Sequence, residues 1–363
     1  MKQSLLLIGF LIFLAGITPQ TVYSQTENEI KARAKYKEGI QLMDNGKYDE
    51  SINSLEEAWQ LMPEAITIQY EIAYAYYLNK KYEKANNVLE KYLTHKDVNF
   101  DFFQLLGNSY DLMGKPDKAI ETYKQGLVKF PKSGSLYLEM GNVQFNKQDY
   151  NAALQSYESG INAEPMFPSN YYRAAKLYCS TSESFWGMMY GEIYLNIDTN
   201  TKRKMEISKL LYDTYKKNVT YKNDTSISIT FSKIVSVKID SSSGTKVIKY
   251  PVNFYYGKSF AMAVALGQQV INLKNLHALR QKTIEHYYEM ESNKECPNVL
   301  IEFQKKILDA GHFEAYNYWL LMNGEEETFQ KWYKENKDKY IDFAKWLSSN
   351  SLNIDETNKF TSR

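Results

Sequence analysis

A regular spacing of small residues organises the first half of this chain. The stretch NGKYDESINSLEEAWQLMP, residues 45–63, holds a turn, an amphipathic segment and a proline that ends it. Small residues recur at equal intervals, at Gly39, Ala73, Gly107 and Gly141. Four copies of the pattern follow one another without a gap, beginning at Ala32, Ile66, Phe100 and Gly134. This repetition predicts stacked copies of one small unit, which bury a continuous core between neighbours.

The pattern within each copy predicts two helices joined by a turn. The small residues allow the first helix to approach its partner closely, and large residues fill the space between successive helices. Pro63, Pro131 and Pro165 end the second helix of three copies, because proline cannot continue a helix. The predicted fold class is mainly α.

The period and the pattern resemble the tetratricopeptide repeat, a helix–turn–helix unit of about 34 residues. The third copy carries the family's pattern most fully, at Phe103, Leu106, Gly107, Tyr110, Gly114, Ala119, Tyr123 and Pro131. Ser51 in the first copy and Asp97 in the second depart from it. The resemblance covers residues 32–165 and implies an α-solenoid, with a divergent fifth helix pair from Pro168 that closes the array.

In solenoids of this family, the fifth, ninth and twelfth positions of each first helix line a concave groove. The resemblance therefore implies a partner-binding groove of Tyr36, Tyr70, Tyr74, Tyr77, Gln104, Asn108, Asp111, Leu138, Asn142, Phe145, Tyr172 and Lys176. Ile40, Met43 and Cys179 occupy the remaining positions. This surface is aromatic and amide-rich, with little charge.

Two interpretations of this surface remain open. It is either a groove for an extended peptide or amphipathic helix, or a surface that its own tyrosines or the C-terminal region cover. In the first case the tyrosines anchor the ligand, and Asn108 and Asn142 bond its backbone. Family members that bind a chaperone's C-terminal carboxylate use Lys, Arg and Asn here, whereas this chain has Tyr36, Glu71 and Asp101. Carboxylate recognition is therefore excluded, and phosphate recognition fails for lack of Arg.

The first residues predict a signal peptide over residues 1–24. One lysine precedes an apolar run, residues 5–17, which is short of the roughly 20 residues needed to span a bilayer. We expect a mature chain from Gln25 that is periplasmic or secreted and has no transmembrane anchor. Lipidation is rejected because the first cysteine is Cys179.

Charge and cysteine usage narrow the function further. Without the leader's lysine, 43 of the 44 basic residues remain against 43 acidic residues, with no basic stripe, so nucleic-acid binding is not expected. Cys179 and Cys296 are the only cysteines, and a disulfide and two buried thiols are both compatible with their separation.

Residues 25–200 are assigned to the solenoid and residues 201–363 to a helical region that contains a β-hairpin at about 226–257. Apolar residues alternate on both sides of DSSSGT, with Ile239 predicted to face Lys246 and Val237 to face Ile248. Helical spacing predicts helices at 201–217, 260–273, 276–290, 299–308 and 325–349, and a buried helix at 313–322. The polar tail from Asn350 is expected to fray.

We find no catalytic motif in the sequence. His95, His277, His286 and His312 have no metal-ligand spacing, and phosphate loops and nucleophile elbows are absent from the sequence. We therefore predict no catalytic residues, no metal and no cofactor. The expected function is a non-enzymatic scaffold of the cell envelope that binds a peptide or partner protein; the alternative is a glycan-binding module. The oligomeric state stays open.

Overall fold

The computed structural model describes residues 19–223, 226–232, 238–240, 247–265 and 270–362. Most of the predicted signal peptide, residues 1–18, lies outside this range. The chain divides into two compact units: unit 1 is Met1–Gln125 and unit 2 is Gly126–Arg363. The assignment of residues 25–200 and 201–363 to two regions stays a prediction.

Unit 1 consists of paired helices. They are α1 (Pro19–Asp44), α2 (Tyr48–Leu61), α3 (Ile66–Leu78), α4 (Tyr82–Leu89), α5 (Phe100–Leu112) and most of α6 (Pro116–Lys129). A turn of 3-10 helix, Glu90–Tyr92, extends α4. Helix α2 packs on α1 and α3, and α4 packs on α3 and α5.

Unit 2 begins with further helix pairs and continues into strands and shorter helices. The helices that continue the repeat are α7 (Gly134–Asn146), α8 (Tyr150–Ala163), α9 (Pro168–Cys179) and α10 (Ser184–Ile197), followed by α11 (Thr201–Asn218). The strands are β1 (Val219–Asn223), β2 (Ser226–Ile229), β3 (Lys238–Asp240) and β4 (Val247–Lys249). The C-terminal helices are α12 (Val252–Ala265), α13 (Leu273–Glu289), α14 (Ser292–Glu295), α15 (Val299–Asp309), α16 (Phe313–Leu321), α17 (Glu326–Glu335) and α18 (Lys337–Ser349).

The predicted mainly α fold of stacked helix pairs is confirmed, and the small residues show why the pairs pack closely. A Cβ atom on Gly107 would lie 2.2 Å from Cε1 of Tyr123 on the second helix. The equivalent atom on Gly141 would lie 2.5 Å from Cε1 of Tyr157. Side chains of the second helix thus rest directly on the backbone of the first.

The turn within each helix pair uses a left-handed residue at the same position of the repeat. Gly46 and Gly114 have φ angles of 73° and 71°, which glycine adopts without steric cost. Lys80 and Gln148 stand at the same position in the second and fourth copies, with φ angles of 58° and 64°. These two side chains make the backbone conformation unfavourable by about 1–2 kcal/mol.

Replacing Lys80 by glycine is therefore expected to raise the free energy of unfolding by about 0.5–1 kcal/mol, and Gln148→Gly to do the same. The gain is smaller than the strain because glycine also has more freedom in the unfolded chain. Urea unfolding followed by circular dichroism measures it. The control is Lys84→Gly, within helix α4, which should destabilise by about 1 kcal/mol. Equal losses from all three substitutions would contradict the assigned strain.

The strands differ in extent and register from the predicted hairpin. A β3–β4 hairpin is present, but Ile239 pairs with Ile248 rather than with Lys246. Val237 and Lys246 lie outside the described residues. Strand β2 pairs with β1 instead of with the residues after β4. Residues 252–257 belong to helix α12, because their apolar side chains continue at helical spacing into residues 260–264 and are buried along one face.

The C-terminal helices follow the predicted pattern with shifted ends. Helix α12 begins at Val252, before the predicted residue 260, and the predicted helix at 325–349 is divided at Asn336 into α17 and α18. The buried helix predicted at 313–322 is confirmed as α16. The expectation of a frayed tail is wrong, because Leu352 is 4% exposed and Ile354 is 2% exposed.

A buried ion pair joins α10 to the C-terminal helices. Nη2 of Arg280 lies 2.6 Å from both carboxylate oxygens of Glu192, and both side chains are almost fully buried. The amide of Gln304 and the hydroxyl of Tyr316 donate to the same carboxylate over 2.6 and 2.7 Å. The guanidinium carbon lies 5.8 Å from the ring centre of Tyr215. Burial alone would lower the pKa of Arg280, but Glu192 holds it above its ordinary value.

Candidate functional site

The first helices of unit 1 present a row of tyrosines. Tyr70, Tyr74 and Tyr77 lie along α3, and we call them the tyrosine row. Their rings are near-parallel, with centroids 6.3 Å apart between Tyr70 and Tyr74 and again between Tyr74 and Tyr77. Each ring is half-buried. Tyr70 also contacts Phe102 at 5.3 Å, and Tyr77 meets Tyr82 edge-on at 5.7 Å, which fixes both ends of the row.

Carboxylates flank the tyrosine row. The hydroxyl of Tyr36 donates to Oε1 of Glu71 over 3.4 Å. Burial raises the pKa of Glu71; the bond from Tyr36 lowers it, and the charges of Asp101 and Asp44 raise it again. Burial also raises the pKa of Asp101, and burial with the charge of Glu71 raises the pKa of Tyr36 to about 12. The face therefore carries negative charge in a partly desolvated setting.

Other predicted groove residues of unit 1 lie on α1 and α5. Gln104, Asn108 and Asp111 are half-buried along α5, and burial raises the pKa of Asp111. Ile40 is half-buried, whereas Met43 is 6% exposed and belongs to the core of unit 1. These aromatic, amide and carboxylate groups, on α1, α3 and α5, therefore all lie in unit 1.

The two predicted backbone-binding asparagines are held by the repeat itself. The hydroxyl of Tyr123 donates to Oδ1 of Asn108 over 2.6 Å, and that of Tyr157 donates to Oδ1 of Asn142 over 3.2 Å. Nδ2 of Asn142 also donates to Glu139 over 3.1 Å. The tyrosines that pack on the small residues therefore also orient these amides, with their carbonyl oxygens turned inward.

In unit 2 the predicted groove residues differ in exposure. Phe145 is 41% exposed and meets Tyr150 edge-on at 5.4 Å, whereas Leu138 is half-buried against the core. The fifth helix pair is covered by α11. Tyr172 is 7% exposed, and its hydroxyl donates to Glu206 of that helix over 2.5 Å. Lys176 pairs with the same carboxylate at 2.6 Å.

Both thiols are free in this structure. Cys179 is buried against α10, and burial raises its pKa to about 11. Cys296 is half-buried, and burial also raises its pKa. A thiol with a raised pKa is a weak nucleophile at neutral pH. Neither cysteine has the character of a reactive group.

The residues that the structure describes contain neither a cluster of metal ligands nor a membrane-spanning helix. In that part of the chain, His, Cys, Asp and Glu form no group of three or more that could hold a metal. None of the helices in the described ranges is both long enough and apolar enough to span a bilayer. The tyrosine row and its flanking carboxylates form an aromatic and acidic surface on unit 1.

Sequence reasoning missed the polar groups that the folding of unit 2 buries. Glu192 lies in the apolar helix α10, where it is the only charged residue among side chains that are nearly all buried. A lone carboxylate in such a helix requires a buried partner. That signal was present, but it could not identify Arg280, which lies 88 residues further along the chain.

Comparisons with known proteins match part of the chain. Two family models, both described as tetratricopeptide repeat, match residues 42–107 and 105–169. Tetratricopeptide repeat protein 21B of Homo sapiens is 25% identical over 116 residues, which are 32% of this chain and 9% of that protein. Small glutamine-rich tetratricopeptide repeat-containing protein 2 of Saccharomyces cerevisiae is 27% identical over 143 residues, 39% of either chain. The chain thus spans 9% and 39% of these relatives' lengths.

Solved structures that match part of the chain include TTC0263, a thermophilic TPR protein of Thermus thermophilus. It is 16% identical, with a TM-score of 0.40, and the match covers 50% of this chain and 98% of that one. PilF of Pseudomonas aeruginosa is 14% identical, with a TM-score of 0.44 and coverage of 52% and 86%. Over residues 42–169 the chain is therefore similar in sequence to the tetratricopeptide repeat family, as its regular period predicts.

Proposed function

We propose that this protein is a non-enzymatic interaction scaffold whose tyrosine row binds an extended segment of a partner protein. The stacked, half-exposed rings of Tyr70, Tyr74 and Tyr77 are the observation that supports this function. Tyrosine is a frequent anchor of binding surfaces, because its ring gives a large contact area at a small cost in side-chain entropy.

The flanking charges favour a basic partner. Glu71 and Asp101 lie close enough to Tyr70 that their charges help to raise its pKa, after burial. A lysine or arginine of a bound segment would lie between the ring faces, which attract cations, and the carboxylates, which lack full hydration. The same carboxylates would repel an acidic segment, so the chemistry of this face is opposite to that of a carboxylate clamp.

We also propose that the protein is exported. The N-terminal apolar run supports export, so the partner is sought in the cell envelope. Trp186 and Trp332 do not favour the glycan-binding alternative. Trp186 is 8% exposed, and Trp332 stacks on Tyr318 at 4.2 Å, so neither offers a free ring face to a sugar.

The Tyr70→Ala/Tyr74→Ala variant is expected to lose binding by about tenfold or more, since buried aromatic anchors carry most of the energy of such interfaces. Two measurements check this: co-purification of envelope partners with the mature protein, and fluorescence anisotropy with a short lysine-rich peptide. The lysine-rich peptide should bind more tightly than a glutamate-rich peptide of equal length, and added salt should weaken it.

Tyr76→Ala supplies the matched control. Tyr76 lies on the same helix but on another face, where Lys84 of α4 lies 5.6 Å from its ring centre. Its removal should leave binding unchanged. If the double variant is folded and retains every partner, the tyrosine row is not the binding surface. If both peptides bind equally, the basic preference is wrong.

A further inference from the structure

The segment after α18 is bound along the repeat helices of unit 2. We call residues 351–362 the strap. It contains neither helix nor strand, yet Leu352 and Ile354 are almost completely buried. The backbone N–H of Ile354 donates to Sδ of Met166, in the loop between α8 and α9, over 3.4 Å. The strap is therefore held by individual contacts rather than by a regular backbone ladder.

A turn in the middle of the strap directs a lysine to the end of α8. The carboxylate of Asp355 accepts hydrogen bonds from the N–H and the hydroxyl of Thr357, over 2.8 and 2.6 Å. Nζ of Lys359 then donates to the carbonyl of Asn162 over 2.6 Å. This carbonyl lies in the last turn of α8, where the helix dipole favours a cation.

The last residues of the strap lie on an aromatic surface beside a buried carboxylate. The ring of Phe360 lies 6.2 Å from that of Trp186 and 6.4 Å from that of Tyr190. The N–H of Ser362 donates to Oε1 of Glu158 over 3.2 Å and to the hydroxyl of Tyr190 over 2.9 Å. The Ser362 hydroxyl also donates to Glu158, which is 3% exposed.

These contacts together form a peptide-binding surface on α8, α9 and α10. It provides a thioether acceptor for a backbone N–H, a helix-end carbonyl for a cation, an aromatic platform and a buried carboxylate acceptor. Glu158 also accepts hydrogen bonds from the hydroxyls of Tyr178 and Tyr190, over 3.1 and 2.7 Å, so its position is fixed by α9 and α10. The surface is thus built from the repeat helices, and the strap supplies the complementary groups.

The occupant of this surface need not come from the same molecule. A second copy of the chain carries the same strap and would make the same contacts, as in other exchanged elements. Asn350 and Ser351, between α18 and the buried part of the strap, are both exposed, so this short connection can redirect the strap; Leu352 and Ile354 leave one core and enter the equivalent core of the second copy. Within one molecule the strap acts at an effective concentration on the order of millimolar, so exchange competes when that strap is weakened or the protein is concentrated.

We propose that the strap is exchangeable and that this surface takes the strap of a second copy of the chain, which gives a homodimer. The proposal concerns α8, α9 and α10 of unit 2 and is independent of the tyrosine row. It assigns to the segment from residue 351 a role in self-association, in addition to its contacts within the molecule.

The test uses two full-length variants. The strap variant, Ile354→Asp/Phe360→Ala, retains the surface and loses two anchors of the strap. The surface variant, Glu158→Gln/Met166→Lys, retains the strap; Met166 is 43% exposed, so a charge there is tolerated, and an ammonium group cannot accept the N–H of Ile354. Sedimentation velocity should show each variant alone as a monomer and their mixture as a heterodimer. Absence of a heterodimer in a concentrated mixture of the folded variants would overturn the proposal.

A labelled peptide of residues 351–362 measures the surface directly. The peptide should bind the strap variant about tenfold more tightly than it binds the wild-type protein, because the wild-type strap competes for the surface. Adding Glu158→Gln to the strap variant should lower the affinity for the peptide about tenfold. The milder Phe360→Ala variant replaces the strap variant if circular dichroism shows that the latter is unfolded. No saturable binding to a folded strap variant would contradict the inference. Tyr70→Ala/Tyr74→Ala should not affect this binding, which separates the result from the test of the tyrosine row.

Discussion

Replacing Arg280 by methionine is expected to lower the free energy of unfolding by about 3–5 kcal/mol, the largest effect expected of a single substitution in unit 2. Glu192 would keep its hydrogen bonds from Gln304 and Tyr316 but would be buried without a cation. A buried charge that loses its partner is destabilising because the interior cannot replace hydration. Guanidinium unfolding followed by far-UV circular dichroism measures the change.

Two variants define how this result is interpreted. Glu192→Gln combined with Arg280→Met removes both charges and should cost less than Arg280→Met alone, because no unpaired charge remains. Lys209→Met breaks an exposed pair with Asp213, whose atoms lie 2.9 Å apart, and should change stability by about 0.5 kcal/mol or less. If Arg280→Met lowers the free energy of unfolding by no more than Lys209→Met does, the buried pair of Glu192 and Arg280 does not hold α10 to the C-terminal helices.

Gly107→Ala is expected to lower the free energy of unfolding by about 1–3 kcal/mol, although alanine normally stabilises a helix relative to glycine. The added methyl group would lie 2.2 Å from the ring of Tyr123, so the paired helices must separate or the ring must move. Thermal and urea unfolding of the purified protein measure the loss. Gly257→Ala is the control, since no atom beyond the adjacent residues and backbone of its own helix lies within 4 Å of its Cβ position. It should be neutral or stabilising by up to about 1 kcal/mol.

The chain itself suggests how to rescue Gly107→Ala. In the second copy, Ala73 and Leu89 occupy the positions that Gly107 and Tyr123 hold in the third, and both are fully buried. Adding Tyr123→Leu to Gly107→Ala should therefore recover part of the loss, although the bond from Tyr123 to Asn108 is lost. Additive losses from the two substitutions would show that the clash is not the cause.

The repeat could be predicted because its signals are local. Small residues, turns and prolines recur within each copy, so the pairing of adjacent helices needs no knowledge of distant contacts. The left-handed turn positions were only partly predictable. Glycine marks two of them, whereas Lys80 and Gln148 adopt the same backbone without any sequence signal.

The strands after α11 could not be predicted in full because one apolar pattern fits two structures. Val252, Phe254 and Tyr256 alternate as in a strand, while Val252, Tyr256 and Phe260 also recur at helical spacing. Packing decides for the helix, since Val252, Tyr256 and Phe260 are all buried on one face of α12. Such a choice depends on tertiary contacts that a short window does not contain.

The candidate site was predictable where its residues follow helical periodicity. Helical spacing placed Tyr70, Tyr74 and Tyr77 on one face, and the structure shows their rings stacked in a row. The covering of Tyr172 by α11 and the docking of the strap on Glu158 involve residues outside the repeat pattern. Neither could be inferred from periodicity.

The helix α11 has a consequence for how a chain like this can lengthen. It packs on α9 and α10, the surface that another helix pair would need in order to stack. A duplicated copy of the repeat inserted at Ile66 or Phe100 would meet the same neighbours as the existing copies. One added after α10 would have to displace α11 and uncover Tyr172. Growth of the array by gene duplication is therefore possible inside it and blocked at this end.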